Sequence, residues 1–364
     1  MSTSLRSPLP LLTSLVAARS PSREEGPCVD VLEWWLRERG LDVTRADRNL
    51  MVVKDSGKPG PTLLLCSHTD TVPATAAWTR DPWTPTREGD RLYGLGANDA
   101  KASVAAMAVA FESAKLQTGK LVFAPVCEEE IGRGGLEAFL PSLPAADMAI
   151  IGEPTGLDIA TAQNGLLILD CVAHGRAGHA ARPHLADNAL YTAARDILAL
   201  EGIALEGLTR VHPLAGRTSL AVTVCAAGDR HNVIPGEARF TIDLRTTPMY
   251  SHAELVEHVR SAVVAEVHVR SDRFRPVSTP EHTVYGARLL QAAQRAMSDS
   301  GRTPTLFHSP TLSDWAHLGH IAGIKWGPGL SEVSHTADEW VDVRIVDEAA
   351  SLYLQVIQNV LGAE

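Results

Sequence analysis

Three short runs without a charged residue, 62–66, 121–126 and 148–151, each lead into a cluster of carboxylates or imidazoles. This feature limits the available folds more than any other in the chain. An uncharged run of strand length is buried on both faces, which is the condition of a parallel strand covered by helices. Helical patterns surround these runs, at 29–39 before Gly40 and at 102–115. Helices alternating with buried strands predict an α/β layer whose sheet is mixed and largely parallel.

The pattern changes between residues 166 and 278. A strand at 166–173, a helix at 189–200, strands at 219–225 and 238–245, and a helix at 253–264 read as a compact α+β insert. After Pro280 the first pattern returns, with a helix at 285–297, a strand at 324–326 and a closing helix at 346–361. A chain of 364 residues exceeds what one core usually serves. The expectation is one discontinuous domain, 1–165 plus 279–364, interrupted by an inserted domain, 166–278.

A net charge of −10 without a basic cluster argues against nucleic acid as a partner, since phosphate neutralisation needs lysine and arginine in groups. Five widely spaced cysteines, Cys28, Cys66, Cys127, Cys171 and Cys225, contain no C-x-x-C and fit neither a disulfide framework nor a zinc knuckle. A reducing, cytoplasmic setting is the simpler expectation. Residues 5–16 carry Pro8 and Pro10 and lack the apolar core of a signal peptide. No window reaches 18 apolar residues, so no membrane span is expected.

The chemistry sits where the uncharged runs end. His68 and Asp70 follow the first run two residues apart, on one face of a strand, where an imidazole can bind a metal and the carboxylate can orient it. A hydrogen-bonded strand-end histidine is the plainer alternative. A Gly-rich loop, 92–101, delivers Asp99 just before a helix, where it is either an N-cap or a ligand. Glu128, Glu129 and Glu130 follow the second run. Adjacent like charges are tolerable when fully solvated or when neutralised by a cation. Glu153 follows the third run, and His335 lies in a late Gly-rich segment with Asp338 and Glu339. Two histidines with several carboxylates and no cysteine suit catalytic zinc, cobalt or manganese rather than structural zinc. Ends of parallel strands are also where ligands bind in open α/β sheets.

This ordered set, His68-Thr69-Asp70, Asp99, Glu129-Glu130, Glu153 and His335, resembles the di-zinc amidohydrolase family of acetylornithine deacetylase, succinyl-diaminopimelate desuccinylase, aminoacylase and glutamate carboxypeptidase. The resemblance spans nearly the whole chain. It implies two Zn2+ ions bridged by Asp99, with His68 and Glu153 on one and Glu130 and His335 on the other. Asp70 would orient His68, and Glu129 would be the general base. Glu128 stands where an aspartate is usual and receives no role. The family's Lys-Gly-Gly or Lys-Gly-Ser becomes Lys101-Ala102-Ser103 here. In the segment 310–315, Ser313 and Asp314 take the place of a Gly-Thr/Ser-x-Asp loop near the substrate.

In the insert, His179 resembles the family histidine that reaches the other subunit's active site and steadies the oxyanion, which implies a homodimer formed through the insert. On spacing alone, His179 is a loop residue. Asn232 and Arg245 resemble a clamp for the substrate α-carboxylate, although an arginine ending a strand can simply pair with Asp243. The implied reaction is hydrolysis of the amide of an N-acyl amino acid: acylornithine, acylcitrulline, or a lysine that is acylated or linked to an amino-group carrier protein. A dipeptidase, a carboxypeptidase, a succinyl-diaminopimelate desuccinylase and a non-catalytic binding protein are the alternatives.

Overall fold

In the computed structural model, which describes residues 5–132 and 134–362, the three uncharged runs become neighbouring strands of one sheet. Successive strands across it are Val43–Ala46, Asn49–Asp55, Lys120–Val126, Thr62–His68, Met148–Ile151, Ala322–Lys325 and Ile159–Gln163. The middle four are mutually parallel, with His68 level with Val126, Cys66 level with Ile151, and Ile151 level with Lys325. The outer pairs are antiparallel. The sheet is mixed and largely parallel, as the uncharged runs require. Every residue of Thr62–His68 and Met148–Ile151 is buried.

The helix Lys101–Ser113 explains how this sheet is covered. Residues 101–111 are all buried, so the helix has no solvent face. Five alanines, at 102, 105, 106, 108 and 110, let its neighbours close in on every side, as a fully enclosed helix requires. It packs between the Thr62–His68 strand and the long closing helix Val343–Leu361. Lys101 is buried at its start, and Nζ donates to the carbonyls of Leu15 and Ala18 at 2.9 and 3.1 Å, at the C-terminal end of helix Leu9–Ala17.

Contacts divide the chain into two compact units, one built from Met1–Thr161, Thr279–Phe307 and Ser313–Glu364, the other from Ala162–Ser278 and His308–Leu312. The second unit is an antiparallel four-stranded sheet in the order Ser219–Ala227, Glu237–Thr246, Gly165–His174, Glu266–Phe274, with helices Ala189–Gly202 and His252–Ala262. Leu167, Leu169 and Cys171, with Phe240, Ile242 and Leu244, form its buried core with residues of those helices. The alternate positions Glu237, Arg239 and Arg245 are exposed.

The strands Val43–Ala46, Asn49–Asp55 and Ile159–Gln163 escape the sequence reading, and so do two further elements. The edge strand Glu266–Phe274 is mostly exposed and charged, and the nine-residue helix Leu9–Ala17 is short, held by buried Leu11, Leu12, Leu15 and Val16. Among the described residues no helix is long and apolar enough to cross a membrane. Because Ala106 is fully enclosed, Ala106→Leu should destabilise the protein by about 1–3 kcal/mol through overpacking. Urea unfolding checks this, and an unchanged midpoint would mean that the helix has room around it.

Candidate metal centre

The parallel strands bring their carboxyl ends level, and the loops beyond them converge. His68 ends its strand, fully buried, with Nδ1 3.1 Å from the backbone oxygen of Asp70 and 3.4 Å from its Oδ1. Both are acceptors, so Nδ1 carries the proton and Nε2 turns to Asp99 Oδ1 at 3.2 Å, with Glu153 Oε1 at 3.9 Å. On the opposite side, His335 Nε2 lies 3.0 Å from Glu130 Oε1 and 3.8 Å from Asp99 Oδ2. The Asp99 carboxylate thus has one oxygen toward His68 and the other toward His335. Ligand atoms of His68, Asp99 and Glu130 fall within 4.8 Å of one another.

Asp99 does not cap the helix that follows it. The cap position is Ala100, without a side-chain hydrogen bond, so the N-cap alternative fails because the carboxylate is turned to the histidines. The loop that carries it is held by Glu339, whose buried carboxylate accepts the backbone N–H groups of Gly96, Asn98 and Asp99 at 3.1, 2.8 and 3.0 Å.

The three adjacent glutamates separate by direction. Glu128, at φ +56°, turns to Arg48 and Arg23. The N–H groups of Glu129 and Glu130 donate to the two oxygens of Asp70, each at 3.1 Å, and Ser22 Oγ donates to Oδ2 at 2.7 Å. Asp70 therefore fixes both His68 and the turn that presents Glu129 and Glu130. Asp314 is buried close by, with Oδ2 unpartnered. Ser313 is buried too, and its hydroxyl accepts the N–H of Trp315.

Crowding of like charge dominates the electrostatics. Burial pushes Glu129 well above the ordinary carboxylate range, with Glu153 adding to the effect. Burial likewise lifts Glu153 to about 7, Glu339 to about 7 and Asp314 to about 8. Its hydrogen bond to Glu130 raises His335 to about 9. Burial alone would depress His68, but Asp70 and Asp99 together outweigh it and raise it well above the usual imidazole value. Asp70, Asp99, Glu153, Asp314 and Glu339 are buried and Glu129 and Glu130 partly so, and the positive charges near them are two histidines, Lys325 beside Glu153 and Lys101 toward Asp70 and Glu339. Such a deficit of positive charge is costly in a low-dielectric site and is relieved by cations. The oxygen and imidazole donors suit zinc, cobalt or manganese.

Residues 64–359 match the model of peptidase family M20/M25/M40. The chain belongs to this family. The chain is 29% identical over 377 residues to a succinyl-diaminopimelate desuccinylase of Dinoroseobacter shibae, covering 97% of this chain and 98% of that one. It is also 29% identical over 372 residues to an acetylornithine deacetylase of Myxococcus xanthus, covering 96% and 97%. Among solved structures, a tripeptidase of Staphylococcus aureus superposes with a TM-score of 0.80 at 19% identity, covering 98% of each chain. The YXEP protein of Bacillus subtilis, named as a dinuclear metal-binding peptidase, gives 0.75 at 17% identity, covering 97% of each.

The insert of this M20/M25/M40 family member carries the other expected residues. Gly178–His179 pairs with Val233–Ile234, and the Ala180 N–H donates to Asn232 O at 3.0 Å, so His179 and Asn232 are neighbours. His179 Nδ1 accepts the Ala181 N–H at 3.0 Å, which leaves Nε2 as the outward donor of an exposed ring. Arg245 is paired with Asp243, Nε to Oδ1 at 2.9 Å, which is the plainer of its two readings.

Glu339 and Lys325 were given no role from sequence. Glu339 had only its closeness to His335 as a signal, and Lys325 only its place as a charge inside an apolar strand. Glu339→Ala leaves three buried N–H groups without their acceptor, at about 1–3 kcal/mol each. The variant should melt lower and retain less zinc. Unchanged melting and metal content would remove this role from Glu339.

Proposed function

We propose that this chain hydrolyses the amide bond of an N-acylated amino acid at a pair of divalent cations, zinc foremost, with cobalt or manganese as substitutes. The observation that carries the reading is the Asp99 carboxylate, one oxygen toward His68 and the other toward His335. His68 and Glu153 would hold one cation, Glu130 and His335 the other, and Asp99 both. Bound there, the pair would supply Lewis acidity that polarises the amide carbonyl and makes water nucleophilic at neutral pH.

The chain's own groups do the rest. Glu129 takes the proton of the attacking water and returns it to the departing amine, a task favoured by the raised proton affinity that burial and Glu153 impose. Asp70 holds His68 in the tautomer that points Nε2 at the site. His179, with Nε2 free to donate, stabilises the oxyanion of the tetrahedral intermediate in the other subunit's active site. Asn232, Arg245 and Ser313 bind the substrate, Arg245 exchanging Asp243 for the α-carboxylate.

The insert, taken as residues 166–278, serves as a lid and dimerisation domain, and the contact division at 161/162 and 278/279 supports a separate unit there. Its helix Ala189–Gly202 exposes Leu190, Tyr191 and Leu198, and its sheet ends on the strand Ser219–Ala227. An apolar helix beside an open sheet edge suits a second copy of this chain. The favoured substrates are acylated ornithine, citrulline or lysine, the last also as a residue linked to an amino-group carrier protein. The names of the relatives, a deacetylase and desuccinylases, support an N-acyl amino acid as the class.

Release of free amine by the zinc-loaded protein, with a chelated control, tests the reading across N-acetyl-ornithine, N-acetyl-citrulline, N-acetyl-lysine, N-succinyl-diaminopimelate and dipeptides. Chelator-sensitive turnover of an acyl amino acid is the expected result, and turnover of dipeptides alone would transfer the site to peptide hydrolysis. Glu129→Gln should lower kcat by about 10²–10⁴-fold with both metals retained. His179→Ala should lower kcat by about 10²–10³-fold with metal content and dimer mass unchanged. A wild-type rate in either variant removes the role assigned to that residue.

A further inference from the structure

Glu128 has no task in the reaction above, although it stands next to the general base. The backbone N–H groups of four successive residues in its turn are all accepted by side chains: Cys127 by Asn49 Oδ1 at 3.0 Å, Glu128 by Glu25 Oε1 at 3.1 Å, and Glu129 and Glu130 by Asp70 at 3.1 Å each. Glu25 is fully buried at the cap position of helix Gly26–Arg37, where its side chain makes no cap hydrogen bond. Its Oε1 also accepts the Arg23 N–H at 2.8 Å, and its Oε2 accepts Arg48 Nη1. Arg48 Nη2 in turn donates to Glu128 Oε1. One guanidinium therefore joins the side chain of Glu128 to the carboxylate that holds the Glu128 N–H. Arg48 sits in the turn between strands Val43–Ala46 and Asn49–Asp55, beside Asn49, so the same hairpin tip also supplies the acceptor for Cys127. The other oxygen of Glu128, Oε2, has Arg23 Nε at 3.9 Å and lies against Gly134, where a Cβ would stand 3.1 Å from it.

We propose that Glu25, Arg48 and Glu128 form a lock that fixes the turn presenting the general base, with Arg48 and Glu128 as positioning residues for Glu129. Residues 127–132 form neither helix nor strand, and Glu129 lies between two further carboxylates that repel it. Left to that repulsion, the three side chains would splay and the turn would sample several conformations. Turning Glu128 onto Arg48 takes one charge out of the group. The guanidinium fork, which serves two carboxylates at once, then ties the turn to the start of helix Gly26–Arg37 and to the hairpin tip. Asp70 holds the same turn through the next two N–H groups, so the base is fixed from both directions. Such fixing matters because a displacement of about 1 Å in a reacting group can lower a rate by about 100-fold. The inference rests on the hydrolytic reading above for the role of Glu129.

Two measurements on the full-length, zinc-loaded protein test the lock, and the first needs no turnover. Amide hydrogen exchange followed by mass spectrometry should quicken about 10–100-fold across residues 127–130 in Glu128→Ala, which keeps the buried Glu25–Arg48 pair, and in Arg48→Met, the scale of one hydrogen bond to a charged group. The rest of the sheet should exchange as in the wild type. In amide hydrolysis both variants should lose about 10–100-fold in kcat, with KM within about threefold and the zinc content unchanged. The double variant should be no worse than the more severe single one, because both changes remove the same link. Glu128→Gln still offers Arg48 an oxygen and should stay closer to the wild type than Glu128→Ala in both measurements. Unchanged exchange in Glu128→Ala overturns the lock, and so does equal loss in the glutamine and alanine variants. Faster exchange with a wild-type kcat overturns its role for Glu129, as does zinc lost in step with kcat, which would assign the effect to Glu130. If Arg48→Met does not fold, Glu128→Ala decides alone. A wild type that turns over none of the amides removes the hydrolytic reading, and the lock is then judged on exchange.

Discussion

Carboxylates repel one another, and this protein gathers seven of them at one end of one sheet: Asp70, Asp99, Glu129, Glu130, Glu153, Asp314 and Glu339. Everything around the site can be understood as management of that charge. Asp70 and Glu339 are satisfied by backbone N–H groups, two for the first and three for the second, so their charge also orders the loops they hold. Glu128 is turned out of the cluster to Arg48. Of the five others, Asp99, Glu130 and Glu153 point at two histidines whose own proton affinity they raise. A group of this kind is stable in a buried setting when cations share it, and protons take their place when metal is absent.

Parallel strands make the convergence possible. Because neighbouring strands start level and point the same way, the residues just past each uncharged run arrive at the same place without regard to their distance in sequence. The motif residues beyond these runs were therefore legible: an uncharged run shows where a strand is buried, and the first charged residues after it mark the common edge. The position of Asp99 was ambiguous for a physical reason. A carboxylate before a helix gains either from the helix N–H groups or from a cation, and its sequence context is the same in both cases. Here the histidines prevail, and the backbone of the loop is stabilised by Glu339 instead.

What sequence did not reveal depends on contacts across long separations. Glu339 acts on residues some 240 positions earlier, and Lys325 joins the row of strand ends only through strand order. Neither signal is local. The strand Glu266–Phe274 hid for a different reason: as a sheet edge with a mostly solvated surface, it carries charges where a buried strand would alternate cleanly. The insert core was legible because Leu167, Leu169, Phe240 and Ile242 do alternate.

Packing explains how Ser103 fits beside the site, and nothing in the structure explains Ala102. Ser103 stands in the first turn of the helix after Asp99, fully buried. Opposite it are two glycines. A Cβ at Gly152 would lie 2.8 Å from Ser103 Cβ, and one at Gly327 would lie 2.5 Å from Ser103 Oγ. The chain segments before Glu153 and after Lys325 thus approach the helix because those positions have no side chain. The bulk of Ser103 is accommodated by absence elsewhere. Asp99, Glu153 and Lys325 are consequently fixed against one another through a close-packed contact that leaves little room for independent movement. Rigidity of that kind is what a site needs if its ligands repel each other before a cation arrives.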